Sequence, residues 1–160
     1  MHRPYTIDIR RYAPSDRAAL ESIHDEARKI ELKYARLENA FLPFSATAEK
    51  EHLFDYDGIF VAETDGAITA FLACTERELA WLYVSPRYMR KGIGRALVKY
   101  ALRQFPKIDH IEVLKGNEPA KALYESFGFS VSEVAFGAMP GNESFEVSVY
   151  IMRKEDTAKA

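Results

Sequence analysis

The sequence predicts one mixed α/β domain, a central sheet with helices on both faces. Three observations lead there. At 160 residues the chain has the length of a single domain, for which roughly 100–200 residues is usual. Its residues are 48% hydrophobic, with 10 Phe and 9 Tyr, enough for a core that buries about two-thirds of the unfolded surface. The apolar spacing also changes along the chain: three consecutive strand patterns are followed by strand–helix–strand–helix, which points to a mixed sheet covered on both sides.

Thr6-Ile7-Asp8-Ile9-Arg10 alternates and predicts a short opening strand. Ala13-Pro14-Ser15-Asp16 supplies turn and N-cap chemistry. Behind it Leu20, Ile23, Ala27, Ile30 and Tyr34 recur at steps of three and four, so an amphipathic helix runs to about Tyr34. After an irregular apolar cluster around Phe41, Leu42, Pro43 and Phe44, a second short helix covers Ala46–Phe54. Ile59–Glu63 and Ile68–Cys74 read as strands joined at Asp65-Gly66, a hairpin signal. Glu78–Val84 is a third strand, ending before Pro86. Gly92–Phe105 is helical, with Ile93, Leu97, Tyr100 and Ala101 on one side and Pro106 as a stop. Ile108–Leu114 is a strand. Asn117–Phe127 is a helix with Pro119 near its start and Gly128 past its end. Val131–Phe136 and Phe145–Met152 are the last two strands, turning at Pro140-Gly141-Asn142. The order is β-α-α-β-β-β-α-β-α-β-β, with seven strands. Residues 1–155 are expected to form the domain and residues 156–160 to fray.

Composition narrows the function. No apolar run approaches the roughly 18 residues of a membrane span, and Met1–Arg10 has no signal-peptide core. A cytoplasmic protein without membrane contact is expected. Cys74 is the only cysteine, so intrachain disulfides and Cys-rich zinc sites are excluded. His24, His52 and His110 show no paired ligand spacing, His2 is terminal, and no metal site is expected. The net charge of −2 excludes a large nucleic-acid surface. That average hides a segregation: Leu79 to Ile108 contains no acidic residue but holds Arg87, Arg90, Lys91, Arg95, Lys99, Arg103 and Lys107. Several of these cations surround two glycines where a strand gives way to a helix, a junction that favours anions through its N–H groups and dipole. One small polyanion, locally bound, is the expectation.

The junction reads Val84-Ser85-Pro86-Arg87-Tyr88-Met89-Arg90-Lys91-Gly92-Ile93-Gly94-Arg95-Ala96-Leu97. A dinucleotide fingerprint needs a third glycine where Leu97 stands, and a P-loop needs Gly-Lys-Ser/Thr where Gly94-Arg95-Ala96 stands. Both nucleotide readings fail. The stretch resembles the pyrophosphate loop of the GNAT acetyltransferase superfamily at Val84, Pro86, Tyr88, Gly92 and Gly94. It departs at Met89, where that family usually carries Arg or Gln; Arg90, Lys91 and Arg95 are placed to compensate. Downstream, Asn117-Glu118-Pro119-Ala120-Lys121-Ala122-Leu123-Tyr124-Glu125-Ser126-Phe127-Gly128-Phe129 resembles the family's second signature at Asn117, Ala120, Leu123, Tyr124, Gly128 and Phe129.

The resemblance spans roughly residues 59 to 152. It implies a mostly antiparallel sheet and an acetyl-coenzyme A-dependent N-acetyltransferase. The expected coenzyme contacts are Leu82, Tyr83, Val84, Met89, Arg90, Lys91, Gly92, Ile93, Gly94, Arg95, Ala96, Asn117, Ala120 and Tyr124. Main-chain N–H groups of Leu82–Val84 are the expected oxyanion donors, and Tyr124 the general acid for the leaving thiolate. An acceptor ammonium with a pKa near ~10 must lose a proton before it attacks. Glu78, at the start of its strand, is the candidate base, with Glu76 behind it and a water chain as the other route. Strict alternation puts Glu78 on one face with Ala80, Leu82 and Val84, and Leu79, Trp81 and Tyr83 on the other.

In this family the acceptor enters over the first two helices and the last hairpin. Glu31, Tyr34, Phe41 and Phe44 are the substrate candidates, carboxylate and aromatic groups that suit a cationic amine. The acceptor is a small-molecule amine or a peptide amine, and family precedent allows a homodimer. A non-catalytic acyl-coenzyme A sensor with the same loop is the alternative function.

Overall fold

The computed structural model describes residues 6–154. The expected 156–160 fray, and the N-terminal residues up to position 5, lie outside them. The elements follow the expected order: β1 (Ile7–Arg11), α1 (Arg17–Tyr34), α2 (Phe44–Lys50), β2 (Gly58–Thr64), β3 (Ala67–Cys74), β4 (Glu78–Val84), α3 (Ile93–Gln104), β5 (His110–Leu114), α4 (Glu118–Glu125), β6 (Phe129–Met139) and β7 (Asn142–Lys154). One seven-stranded sheet runs β1-β2-β3-β4-β5-β7-β6. Every neighbouring pair is antiparallel except β4 and β5. Among the described residues no helix is long and apolar enough to cross a membrane.

Local chemistry accounts for most boundaries. Asp65 and Gly66 both have positive φ, 52° and 82°, as the tight turn between right-twisted strands requires. α2 is shorter than its pattern suggests. It stops at Lys50, a left-handed His52 (φ 54°) follows, and a separate 3₁₀ turn holds Leu53–Asp55. β6 and β7 are longer than their alternating cores, because main-chain pairing continues to Met139↔Asn142 whatever the side chains are. Bulges at Val131/Glu133 and Ala138/Met139 interrupt the alternation there.

Helices cover both faces. α1 and α2 bring Leu20, Ile23, Phe44 and Ala48 onto Val61, Phe71 and Trp81. α3 and α4 bring Ile93, Leu97, Val98, Ala101 and Tyr124 onto Phe60, Leu72 and Leu79. Phe44 is 0% exposed, so Phe44→Ala removes a core anchor of about 3–5 kcal/mol.

One sheet irregularity corrects a sequence expectation. The register of β3 on β4 moves from Ala73↔Trp81 to Cys74↔Leu79, leaving Ala80 as an extra residue. A bulge exchanges the faces of everything before it. Leu79 therefore packs with Leu82 and Val84 against α3. Glu78 lines a cavity with Trp81 and Tyr83 on the opposite side. Strict alternation had placed Glu78 with Leu82 and Val84.

Candidate active site

The site begins where the sheet opens. β4 and β5 pair only at Glu78↔His110 and Leu79↔Ile111, so the remaining length of β4 has no partner in β5. The Ser85 N–H donates to the Thr69 carbonyl at 2.8 Å. Alternation in an antiparallel ladder then turns the Tyr83 N–H toward β3, and those of Leu82 and Val84 toward the open side.

α3 starts at the mouth of this opening. Its cap, Gly92, is left-handed (φ 82°) and supplies no side-chain hydrogen bond, so the N–H groups of the first turn are open to an anion. A Cβ added at Gly94 would meet Val84, Leu123 and Leu82 side chains at 3.5–3.9 Å. All three line the same cavity of about 440 Å³, so a Cβ at Gly94 would cover wall that the glycine leaves open to a ligand. Arg90 and Arg95 line it too. A slender ligand ending in phosphates fits these residues.

Of the sequence-predicted contacts, Leu82, Tyr83, Val84, Met89, Arg90, Gly92, Ile93, Gly94, Arg95, Asn117 and Ala120 line this cavity. Ala96 lies one residue further into α3, and Lys91 sits between two lining residues. Tyr124, on α4, is a predicted contact that does not line the cavity; it is 6% exposed and packs in the core with Leu97 and Phe129. Burial first, and Glu31 second, push its hydroxyl well above the usual tyrosine range, so it holds its proton at any physiological pH.

Glu31 and Tyr34 line the cavity from α1. The Ile30 and Tyr34 end of the helical stripe therefore faces the channel rather than the core. Glu31 ties the opening together. It is ion-paired with Arg28, accepts from the Tyr83 hydroxyl at 3.2 Å and accepts from Asn117 Nδ2 at 3.3 Å. Asn117 also caps α4, its Oδ1 accepting the Ala120 N–H. This bridge depends on Gly116 (φ 109°), where a Cβ would stand 2.5 Å from the Tyr34 carbonyl oxygen. Only glycine lets the loop after β5 lie on the end of α1. Phe41 packs in a small separate cluster beside Leu32 and Val147, with Lys29 over its ring at 4.8 Å. Phe44 is core, outside both cavities described here.

A second cavity of about 300 Å³ lies on the α1–α2 side of β4 and shares Tyr83 with the first. Its charged walls are Glu51, Glu78, Glu112 and Arg28, over an aromatic floor of Trp81, Tyr56 and His24. Burial raises the Glu51 and Glu78 carboxyls above the ordinary range; Arg28 opposes the first shift and His110 the second. His24 is 2% exposed, and its Nδ1 is 2.9 Å from Asp25. Burial lowers its pKa, so it is neutral at pH 7. Ligand atoms of Glu78, His110 and Glu112 lie within 4.8 Å of one another. Sequence spacing had shown no such grouping, since it arises from the β4–β5 register. Glu112 and Arg28 were likewise not singled out.

Residues 55–131 match the family model described as an acetyltransferase (GNAT) domain. The peptidyl-lysine N-acetyltransferase YiaC of Escherichia coli (strain K12) is 36% identical over 78 residues, which cover 48% of this chain and 53% of that protein. The match spans between 43% and 66% of the length of the curated relatives. Among solved structures, a GCN5-related N-acetyltransferase from Rhodopseudomonas palustris superimposes with a TM-score of 0.75 at 16% identity, covering 98% of this chain and 99% of that one. The yncA protein of Salmonella typhimurium, solved with its cofactor acetyl-CoA, gives 0.66 at 19% identity over 94% and 95%. At these identities the likeness concerns the fold.

Proposed function

We propose that this chain, which belongs to the GNAT superfamily of acetyltransferases, moves the acetyl group of acetyl-coenzyme A to an amine. What supports this most is the unpaired edge of β4 beside an uncapped, glycine-opened helix start. When bound, the coenzyme supplies an activated acetyl thioester. The N–H groups of α3's first turn, with Arg90 and Arg95, hold its phosphates. Leu82, Val84 and Leu123 flank its narrow arm.

Leu82 and Val84 N–H groups face the open edge, where they stabilise negative charge developing on an acyl oxygen. Tyr124 keeps its proton until a departing sulfur takes it. Glu78 stands four residues from Leu82, about 13 Å along the strand, too far for direct abstraction from a nitrogen held there. The proton of the amine therefore leaves through water. The second cavity receives the acceptor, with Tyr83 at the junction.

The test is thiol release with a panel of primary amines, wild type against Tyr124→Phe. The expected result is turnover that falls about 100-fold in the variant, with coenzyme A affinity by calorimetry unchanged within threefold. Equal turnover removes Tyr124 as the acid. Tight binding without turnover on any amine makes the chain an acyl-coenzyme A sensor.

A further inference from the structure

We infer that the acceptor is a linear diamine, held by a second ammonium at the Glu78 end of the second cavity while its first nitrogen reacts beside Tyr83. This rests on the acetyltransferase reading and adds the substrate class.

Length is the first reason. β4 residues from Glu78 to Tyr83 form one wall of the cavity, and a strand rises about 3.3 Å per residue. Five residues separate Glu78 from Tyr83, roughly 16 Å along the strand, so the two ends of the cavity lie well apart. A single small amine cannot occupy both ends. The volume, about 300 Å³, equals roughly ten waters, which matches an extended chain of about ten heavy atoms.

Charge is the second reason. Glu51, Glu78 and Glu112 face this space, and the one arginine lining it, Arg28, is already paired with Glu31. Three carboxylates lining a cavity that also holds an aromatic floor favour a cation whose middle is apolar. Trp81, Tyr56 and Met139 also line this cavity, apolar and aromatic surface on which a methylene chain is better placed than a polar backbone. An amino acid would bring its own carboxylate toward Glu78 and Glu112 and be repelled.

Transfer forms one amide bond, breaks the C–S bond and releases the thiol with a proton lost by the amine. The second ammonium takes no part and stays at Glu78.

The experiment compares 1,8-diaminooctane, 1-aminooctane, 1,4-diaminobutane, 8-aminooctanoate and a dibasic peptide in the thiol-release assay. The expected order places 1,8-diaminooctane at least tenfold above 1-aminooctane in kcat/KM, chiefly through KM, with the amino acid poorest. Glu78→Gln is expected to collapse the diamine-to-monoamine ratio to below threefold. Equal rates for diamine and monoamine overturn the inference. So does a Glu78→Gln variant that lowers kcat on both alike and shifts the rate–pH profile, which would make Glu78 a base. A dibasic peptide outrunning every small diamine replaces the class. If no amine turns over, the acetyltransferase reading fails first. Calorimetry of 1,8-diaminooctane and 1-aminooctane with the coenzyme A complex then decides the second-cation claim alone: tighter diamine binding that Glu78→Gln abolishes supports it, and equal binding rejects it.

Discussion

Two of the cavities that Tyr83 lines are made of different materials. The first is main chain: an open strand edge, a helix start without a side-chain cap, a left-handed glycine at that start and a second glycine against the channel wall. The second is side chain: three carboxylates, an arginine and aromatic rings contributed by α1, α2, β4, β5 and the segments between them. A main-chain site suits a ligand that presents phosphates and a thin arm. A side-chain site can be rebuilt without disturbing the sheet. The charge segregation follows the same division, with Arg90 and Arg95 on the first cavity and Glu51, Glu78 and Glu112 on the second.

The sharpest way to break this contrast is at Gly92. Gly92→Asp forces a left-handed L-residue, about 1–2 kcal/mol, and places a carboxylate where the proposed function puts the phosphates. Coenzyme A affinity measured by calorimetry is expected to fall at least about 100-fold, the sum of that strain and repulsion. Arg90→Ala is expected to cost less than about tenfold, as suits a single exposed cation. A larger loss at Arg90 than at Gly92 would make the site a side-chain one after all.

Gly116 tests the bridge between the halves. Gly116→Ala pushes a methyl into the Tyr34 carbonyl and separates Asn117 from Glu31. A drop in Tm of several degrees is expected, in line with about 2 kcal/mol in a domain of this size. An unchanged Tm would mean that the loop after β5 and the end of α1 are not held together.

The smallest effect belongs to Glu51. Burial raises its folded pKa, so the folded state loses stability as pH rises from the unfolded value, about 4.3, through the raised one. Glu51→Gln removes that loss. The expected Tm gain is about 1–3 °C at pH 7, vanishing below about pH 4, where the carboxyl is neutral in both states. A decrease at pH 7 would show that this carboxylate serves the fold rather than a ligand.

The same division explains what was legible in the sequence. The element order, the Asp65-Gly66 turn and the glycine-opened helix were readable because each depends on local residue chemistry. Main-chain sites leave glycines at fixed spacing, so the first cavity announced itself. The second did not. Its walls come from separate elements with no shared pattern, and Glu112 meets Glu78 only through the parallel register of β4 and β5. The bulge at Ala80 reversed the face of Glu78, which no alternation count could foresee. Phe44, read as a substrate contact because the family's acceptor enters over the first two helices, is a core residue.

The most direct test of the account is thiol release from acetyl-coenzyme A by the wild-type chain, followed with and without a primary amine. Amine-dependent release over many turnovers, with one acetyl group appearing on the amine per thiol, is the expected result. Stoichiometric binding of acetyl-coenzyme A with no release on any amine would contradict it.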